Sequence, residues 1–383
     1  MKKNILYLVF GSFCVVSVVL LVFPKFFSSA TYYPAKIETE DQDNAIEIEN
    51  EELTVLPPPP LDTVDYDERI NALANNPPPK IITETVTVVD ENGVEVKETV
   101  PLDPQPAPPP TLWPVKTVYP NAGAILPFNR IIAYYGNLYS PKMGALGQYP
   151  EDEMLARLDV EVKKWESADP STPVLPALHY IVVVARDYPT NDGKYRGRMP
   201  SAEVDKVLKM AEKINAIVFL DFQVGFSTLA EELPVYEKYF KMPNVHLGID
   251  PEFSMKGEIR PGKVVGTVDA TDVNFAANYL AKVVRENNLT PKILVVHRYT
   301  QGMVTNYQNI KPLPEVQIVM HMDGWGGAAK KRNTYQQFVY KEPVQFTGFK
   351  LFYRHDVAEP GTVLMSPADL LKLQPRPIYI QYQ

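Results

Sequence analysis

The chain has 383 residues, which is enough for one large domain or two of ordinary size. Its net charge of −8 is unevenly spread: 18 acidic and 4 basic residues lie between Lys36 and Asp103, and the chain after Gln105 is nearly neutral. No cluster of Lys and Arg predicts nucleic-acid binding, and the single cysteine, Cys14, excludes an internal disulfide and a cysteine-based metal site.

The first 30 residues are predicted to be a signal anchor or a signal peptide. Two lysines precede about 20 mostly apolar residues, from Ile5 to Phe23, a length that can cross a bilayer as a helix. The lysines favour a cytoplasmic N-terminus. Small residues in "FSSA" also fit signal-peptide cleavage, so both interpretations stay open. Phe13 before Cys14 disfavours a lipoprotein, because a lipobox needs a small residue there.

Residues 31–126 are predicted to be an acidic, Pro-rich and largely disordered linker. The span 57–120 holds 15 of the 37 prolines, in runs such as "LPPPPL" and "PQPAPPP", and such runs favour polyproline II. One island differs. Residues 80–100 alternate apolar and polar side chains around Asn92-Gly93, which predicts a β-hairpin.

Residues 127–383 alternate predicted strands and helices. Helical spacing marks 150–165 and a second segment that Ser201 is predicted to cap. Asp269 or Thr271 and Ser366 are predicted to begin further helices. The predicted strands span 130–136, 177–185, 216–222, 245–250, 292–298, 316–323, 347–353 and 377–383. Eight such units in about 255 residues indicate an α/β protein with a (β/α)8 TIM-type barrel. A doubly wound open sheet is the structural alternative.

Side chains with catalytic chemistry gather at the carboxyl ends of these predicted strands, where barrel active sites are built. His246, Gly248, Asp250 and Glu252 share one strand face, so two carboxyls point the same way. The other candidates at strand ends are Asp221, Gln223, His297, Tyr299, His321, Asp323, Trp325, Lys350 and Tyr134. We therefore expect a ligand site at this rim.

Paired carboxyls with aromatic side chains are typical of enzymes that cleave glycosidic bonds. Glu252 is the expected proton donor, Asp250 its support or a base, and Asp323 the opposing carboxylate. Substrate is expected to contact Asp221, Gln223, His297, Tyr299, His321, Trp325, Lys350 and Tyr134. Sequence spacing does not fix the distance between the carboxyls, so retaining and inverting mechanisms both stay open.

The motifs "AYYGNLYSPKMGALG", "LDFQVG", "IDPEF", "HMDGWG" and "GFKLFY" together resemble a family of exported bacterial proteins. The members of this uncharacterised family have an anchored or lipoprotein-like N-terminus followed by a glycosidase-like barrel. The resemblance covers about 130–383 and implies export and the barrel fold. "GIDPE" also resembles the D-x-E strand ends of lysozyme-like and chitinase-like barrels, although the longer D-x-x-D-x-D-x-E pattern of chitinases is absent.

The sequence predicts a glycoside hydrolase outside the cytoplasm that acts on polysaccharide or peptidoglycan, requires no cofactor and contacts the membrane through its N-terminal segment. A cleaved signal would make it a secreted protein. A non-catalytic barrel that binds glycan or protein is the alternative. An oxygen-rich Ca²⁺ or Mg²⁺ site of Asp221, Asp250, Asp323 and His321 is a further alternative to a metal-free pocket.

Overall fold

The computed structural model describes residues 57–107 and 110–383. Within these residues the strands are β1 (Thr83–Val89), β2 (Glu95–Pro101), β3 (Arg130–Gly136), β4 (Val174–Ala185), β5 (Arg196–Arg198), β6 (Ile217–Phe222), β7 (Val245–Ile249), β8 (Val268–Asp269), β9 (Lys292–Arg298), β10 (Val304–Thr305), β11 (Val316–Met322), β12 (Phe346–Leu351) and β13 (Tyr379–Tyr382). The helices are α1 (Thr63–Ala74), α2 (Ala145–Gln148), α3 (Glu151–Ala168), α4 (Ser201–Glu212), α5 (Leu229–Glu232), α6 (Glu237–Phe240), α7 (Ala270–Glu286), α8 (Ala328–Tyr335) and α9 (Pro367–Leu370).

Eight parallel strands close into a barrel. Their order is β3-β13-β12-β11-β9-β7-β6-β4, and β4 pairs with β3 to complete the ring. All eight predicted barrel strands are confirmed, and closure excludes the doubly wound sheet. Two 3-10 turns, Gln301–Met303 and Tyr307–Asn309, connect β9 to β11 in place of an α-helix.

The predicted helices near the barrel are confirmed, and two have the expected N-terminal chemistry. The predicted cap at Ser201 is wrong, because Ser201 is the first residue of α4, Pro200 precedes it, and no side chain caps the helix. Asp269 and Asp272 form a capping box at the start of α7, and Ser366 and Asp369 form another at the start of α9. Each box satisfies backbone N–H groups that have no partner within the helix. Local sequence therefore determines where these helices begin.

Successive side chains of each barrel strand pack into two different hydrophobic cores, one inside the barrel and one beneath the helices. In β6, Ile217 and Phe219 face the barrel interior, whereas Val218 and Leu220 pack beneath the surrounding helices. Because successive side chains of a strand point to opposite faces, Asp221 continues the interior row. Barrel closure thus directs polar side chains at strand ends toward one axis.

Helix α1 was not predicted, since it lies inside the stretch 31–126 that the sequence assigns to a linker. Asp62 caps its N-terminus by accepting hydrogen bonds from the backbone N–H groups of Val64 and Asp65. Tyr66 is only 4% exposed and belongs to the barrel-interior cluster that includes Phe346 and Ile378. Helix α1, within the predicted linker, therefore packs on the barrel.

The predicted hairpin is confirmed as the antiparallel pair β1 and β2, joined around Asn92-Gly93. Gly93 has a φ of 79°, a left-handed conformation that glycine adopts without strain. Most side chains of both strands are exposed. No residue of the hairpin lines the cavity at the carboxyl end of the barrel.

The predicted anchor from Ile5 to Phe23 lies outside the described residues. In the ranges 57–107 and 110–383, no helix has both the length and the apolar character needed to cross a bilayer.

Candidate active site

A cavity of about 490 Å³ opens at the carboxyl end of the barrel. Its volume lies within the range of about 300–1,000 Å³ that is common for small-molecule sites. The side chains that line it are Tyr135, Lys142, Met143, Ile181, Ala185, Gln223, Asp250, Glu252, Phe253, Tyr299, Asp323, Trp325, Lys350, Phe352, His355 and Gln383. They come from strand ends and from the loops that follow them, so closure of the ring creates the pocket.

Most of the predicted site residues meet at this cavity. The predicted residues that line it are Gln223, Asp250, Glu252, Tyr299, Asp323, Trp325 and Lys350. Asp221 and His297 are fully buried beneath them in the barrel interior. His321 is also buried there, with its ring edge-on to those of His297 and Tyr379.

Tyr134 was predicted to contact substrate, but the structure places it on the outer face of the barrel. Its hydroxyl lies 3.1 Å from that of Tyr353, and its ring packs against Tyr382 in the core beneath the helices. Tyr135 lines the cavity instead. Both faces of β3 are buried, so apolar content does not reveal which of two adjacent tyrosines points inward.

Asp250 holds the start of the loop that presents Glu252. Its Oδ1 accepts a hydrogen bond of 3.1 Å from the backbone N–H of Glu252, and its Oδ2 accepts one of 3.1 Å from Gln223 Nε2. The first contact caps the 3-10 turn Pro251–Phe253. The D-x-E spacing therefore has a structural cause, because the aspartate fixes the backbone of the glutamate.

Both carboxyls of this pair bind their protons more tightly than usual. Burial, with the charge of Glu252 nearby, raises the pKa of Asp250 to about 8. Burial and the neighbouring Asp323 raise the pKa of Glu252, and a hydrogen bond from the Tyr299 hydroxyl partly opposes that rise. Asp250 is consequently protonated near neutral pH, and Glu252 keeps its proton to a higher pH than a free glutamic acid does.

The raised pKa of Asp250 predicts a pH-dependent stability that Asp250→Asn removes. Between about pH 4 and pH 8 the folded chain keeps the Asp250 proton and the unfolded chain loses it, so the wild type loses stability as pH rises. Relative to Asp250→Asn, the loss is expected to reach about 1 kcal/mol per pH unit. Chemical denaturation at pH 5 and pH 8 measures it. The control is Glu258→Gln, which removes an exposed carboxyl. If the free energy of unfolding changes equally with pH in all three proteins, the pKa of Asp250 is not raised.

Asp323 has the opposite electrostatic environment. Its Oδ2 lies 2.9 Å from His297 Nδ1 and its Oδ1 lies 3.0 Å from Lys350 Nζ. Burial alone would raise the pKa of Asp323, but Lys350 and His297 outweigh burial and hold that pKa well below its usual range. The cavity wall thus contains an ionised carboxylate, Asp323, as well as two carboxyls whose pKa values are raised.

Beneath the cavity, polar side chains connect several strands. Asp221 Oδ1 lies 3.1 Å from His179 Nε2, and Asp221 Oδ2 accepts a hydrogen bond of 3.0 Å from the Tyr135 hydroxyl. His179 Nδ1 lies 2.6 Å from the Tyr379 hydroxyl. Sequence reasoning missed His179. Side chains two residues apart on a strand share a face. His179 follows Ala177 by two residues and therefore points into the barrel interior with it.

A buried ion pair supports the loop that carries Trp325. Lys331 Nζ lies 2.8 Å from Asp356 Oδ2 and donates to the carbonyl of Gly324, and Asp356 accepts from the N–H of Gly326. Trp325 itself is 55% exposed. An indole at the mouth of a pocket, on a loop fixed from both sides, can stack against the face of a ring-shaped ligand.

The chain also contains a set of metal-ligand side chains. One atom each of His179, Asp221 and His297 lies within 4.8 Å of the other two. The four residues named for an oxygen-rich site do not form such a group among the described residues. Asp250 instead pairs with Gln223, and Asp323 with Lys350.

No protein-family model matches the chain, and no curated protein matches it. Among solved structures, Cel5A of Thermotoga maritima in complex with cellobiose aligns with 12% identity and a TM-score of 0.33, over 67% of this chain and 88% of that one. Dihydropteroate synthase of Burkholderia cenocepacia in complex with 7,8-dihydropteroate aligns with 11% identity and a TM-score of 0.29, over 67% and 86%. Similarity this low carries no argument about function, and the barrel is established by the strand pairing itself.

Proposed function

We propose that this chain is a glycoside hydrolase that acts on polysaccharide or peptidoglycan outside the cytoplasm. The observation that supports it best is one cavity that combines a carboxyl with a raised pKa, Glu252, with an ion-paired carboxylate, Asp323. Most glycoside hydrolases use a protonated carboxyl and a second carboxylate, because one group gives a proton to the leaving oxygen and the other acts from across the sugar ring.

Each group then has a definable task. Glu252 donates the proton, and Tyr299 lines the same cavity. Asp250 holds the backbone of Glu252, and its pKa of about 8 makes it a poor base at neutral pH. Asp323 stabilises or attacks the developing cation, while Trp325 and Phe253 offer apolar faces for sugar rings.

The alternative is a barrel that binds glycan without cleaving it. One observation favours it: both oxygens of Asp323 already have close nitrogen partners, His297 Nδ1 at 2.9 Å and Lys350 Nζ at 3.0 Å. A carboxylate held on both sides is a weaker nucleophile or base than a free one. The pocket would then recognise a sugar through its aromatic side chains and polar wall.

Location forms part of the proposal and rests on the sequence. The apolar segment from Ile5 to Phe23 would anchor the chain, or direct its secretion if cleaved, and the acidic stretch after it would lie outside the membrane.

The full chain, purified in detergent, tests the proposal. It is incubated with peptidoglycan, chitin, neutral β-glucans and acidic polysaccharides, and new reducing ends and binding to each polymer are measured. Product from at least one polymer supports the hydrolase. Saturable binding without product on any polymer supports the binding barrel, and the absence of both contradicts a carbohydrate function for this cavity.

A further inference from the structure

Three side chains in the barrel interior converge on one point below the cavity. His179, Asp221 and His297 come from β4, β6 and β9, and each is fully buried. The Nε2 atoms of the two histidines lie 3.1 Å and 3.4 Å from the same oxygen, Asp221 Oδ1. We propose that this triad binds a divalent transition-metal ion of the zinc type.

The separations fit a shared ion. Bonds of about 2.0–2.1 Å in a tetrahedral site place neighbouring ligand atoms roughly 3.3 Å apart. A hydrogen bond accounts for the contact of His179, but the buried Nε2 of His297 has no hydrogen-bond partner. Buried ring nitrogens are ordinarily paired, and a metal ion between His297 and Asp221 would supply the missing partner.

The outer contacts of the triad orient it in the manner of a metal site. His297 Nδ1 lies 2.9 Å from Asp323 Oδ2, and His179 Nδ1 lies 2.6 Å from the Tyr379 hydroxyl. Metal-binding histidines commonly use their second ring nitrogen for such a contact, which fixes the ring and its tautomer. Here the outer contacts leave both Nε2 atoms facing Asp221.

Gly248 leaves the space beside the triad free of side-chain atoms. A Cβ atom at this position of β7 would lie 2.4 Å from Asp221 Oδ1 and 2.4 Å from His179 Nε2. Any larger side chain would therefore displace the two ligands. A glycine at position 248 is therefore needed to leave room for the side chains of Asp221 and His179.

The donor set determines the class of ion. Two imidazole nitrogens and one carboxylate oxygen suit Zn²⁺, Co²⁺ or Fe²⁺, whereas Ca²⁺ and Mg²⁺ prefer oxygen ligands. The site differs from the predicted oxygen-rich alternative, since it keeps Asp221 but contains His179 and His297 in place of Asp250, Asp323 and His321. It lies beneath the residues proposed for hydrolysis and includes neither Glu252 nor Asp250, although Asp323 contacts His297.

Metal binding by the full chain in detergent tests the inference. After treatment with a chelator, the chain is titrated with Co²⁺ while visible absorption is recorded, and with Zn²⁺ in a calorimeter. The chain is expected to bind one equivalent of each ion. Bound Co²⁺ should show the intense visible absorption bands of four-coordinate cobalt. A folded wild-type chain that binds neither ion stoichiometrically would overturn the proposal and leave a protonated His297 between Asp221 and Asp323.

Variants locate the ion. Asp221→Asn and His297→Gln are each expected to weaken Zn²⁺ binding at least 100-fold, and Asp323→Asn, which alters only an outer contact, about 10- to 100-fold. The exposed fifth histidine gives the control, His355→Gln, which should bind as the wild type does. If His355→Gln loses Zn²⁺ binding while Asp323→Asn and His297→Gln keep it, the ion binds elsewhere and the proposed triad is refuted.

Discussion

Replacing Glu252 by Gln is expected to lower the rate of glycoside hydrolysis by about 10²- to 10⁴-fold, the usual contribution of a general acid. The amide keeps the size of the side chain and can still accept hydrogen bonds through its oxygen. It has no acidic proton to give to the leaving oxygen. The measurement is the initial rate of reducing-end formation on whichever polymer the wild type cleaves.

The matched control is Glu258→Gln, which changes an exposed glutamate in the same loop. It should retain the wild-type rate. The wild-type rate should also fall as pH rises through the raised pKa of Glu252, because the acid must be protonated to act. If Glu252→Gln and Glu258→Gln are equally active, Glu252 is not the proton donor, whatever else the pocket does.

Replacing Tyr66 by Ala is expected to lower the free energy of unfolding by about 3–5 kcal/mol, as truncation of a buried aromatic residue usually does. The Tyr66 ring packs edge-on to Tyr119 at 5.5 Å and against Phe128 at 6.2 Å. Its neighbours also include interior residues of the barrel. Chemical denaturation of the full chain gives the value.

The same helix offers a control, Val64→Ala, because Val64 is 68% exposed. That change should alter stability by less than about 0.5 kcal/mol. If both substitutions have equally small effects, the stretch before Pro127 does not stabilise the barrel and behaves as the linker that its composition suggested. A large effect of Tyr66→Ala alone shows that this helix belongs to the folded unit.

Several features of the molecule were readable from the residues alone. The alternation of short apolar runs with helical patterns predicted all eight barrel strands, because each pattern follows from local geometry. Asn92-Gly93 predicted the hairpin, since few dipeptides favour its turn conformation. The position of Asp250, Glu252 and Asp323 at strand ends predicted that they line one cavity, because parallel strands end on the same side of a barrel.

Other features depended on contacts between distant parts of the chain. Tyr134 and Tyr135 are adjacent and alike, and only closure of the barrel places one inside and the other beneath the helices. His179 lies within an apolar strand, and its role emerges from Asp221, 42 residues later. Helix α1 lies among prolines and acids, and only its packing on the barrel reveals it.

Short-range periodicity was enough to predict the repeating strands and helices and the end of the barrel at which polar side chains gather. The protonation of Asp250 and the ionisation of Asp323 depend on burial and on charged neighbours, which only the folded barrel brings together. Lys350 and His297 reach Asp323 from other strands, and no local pattern around Asp323 contains them.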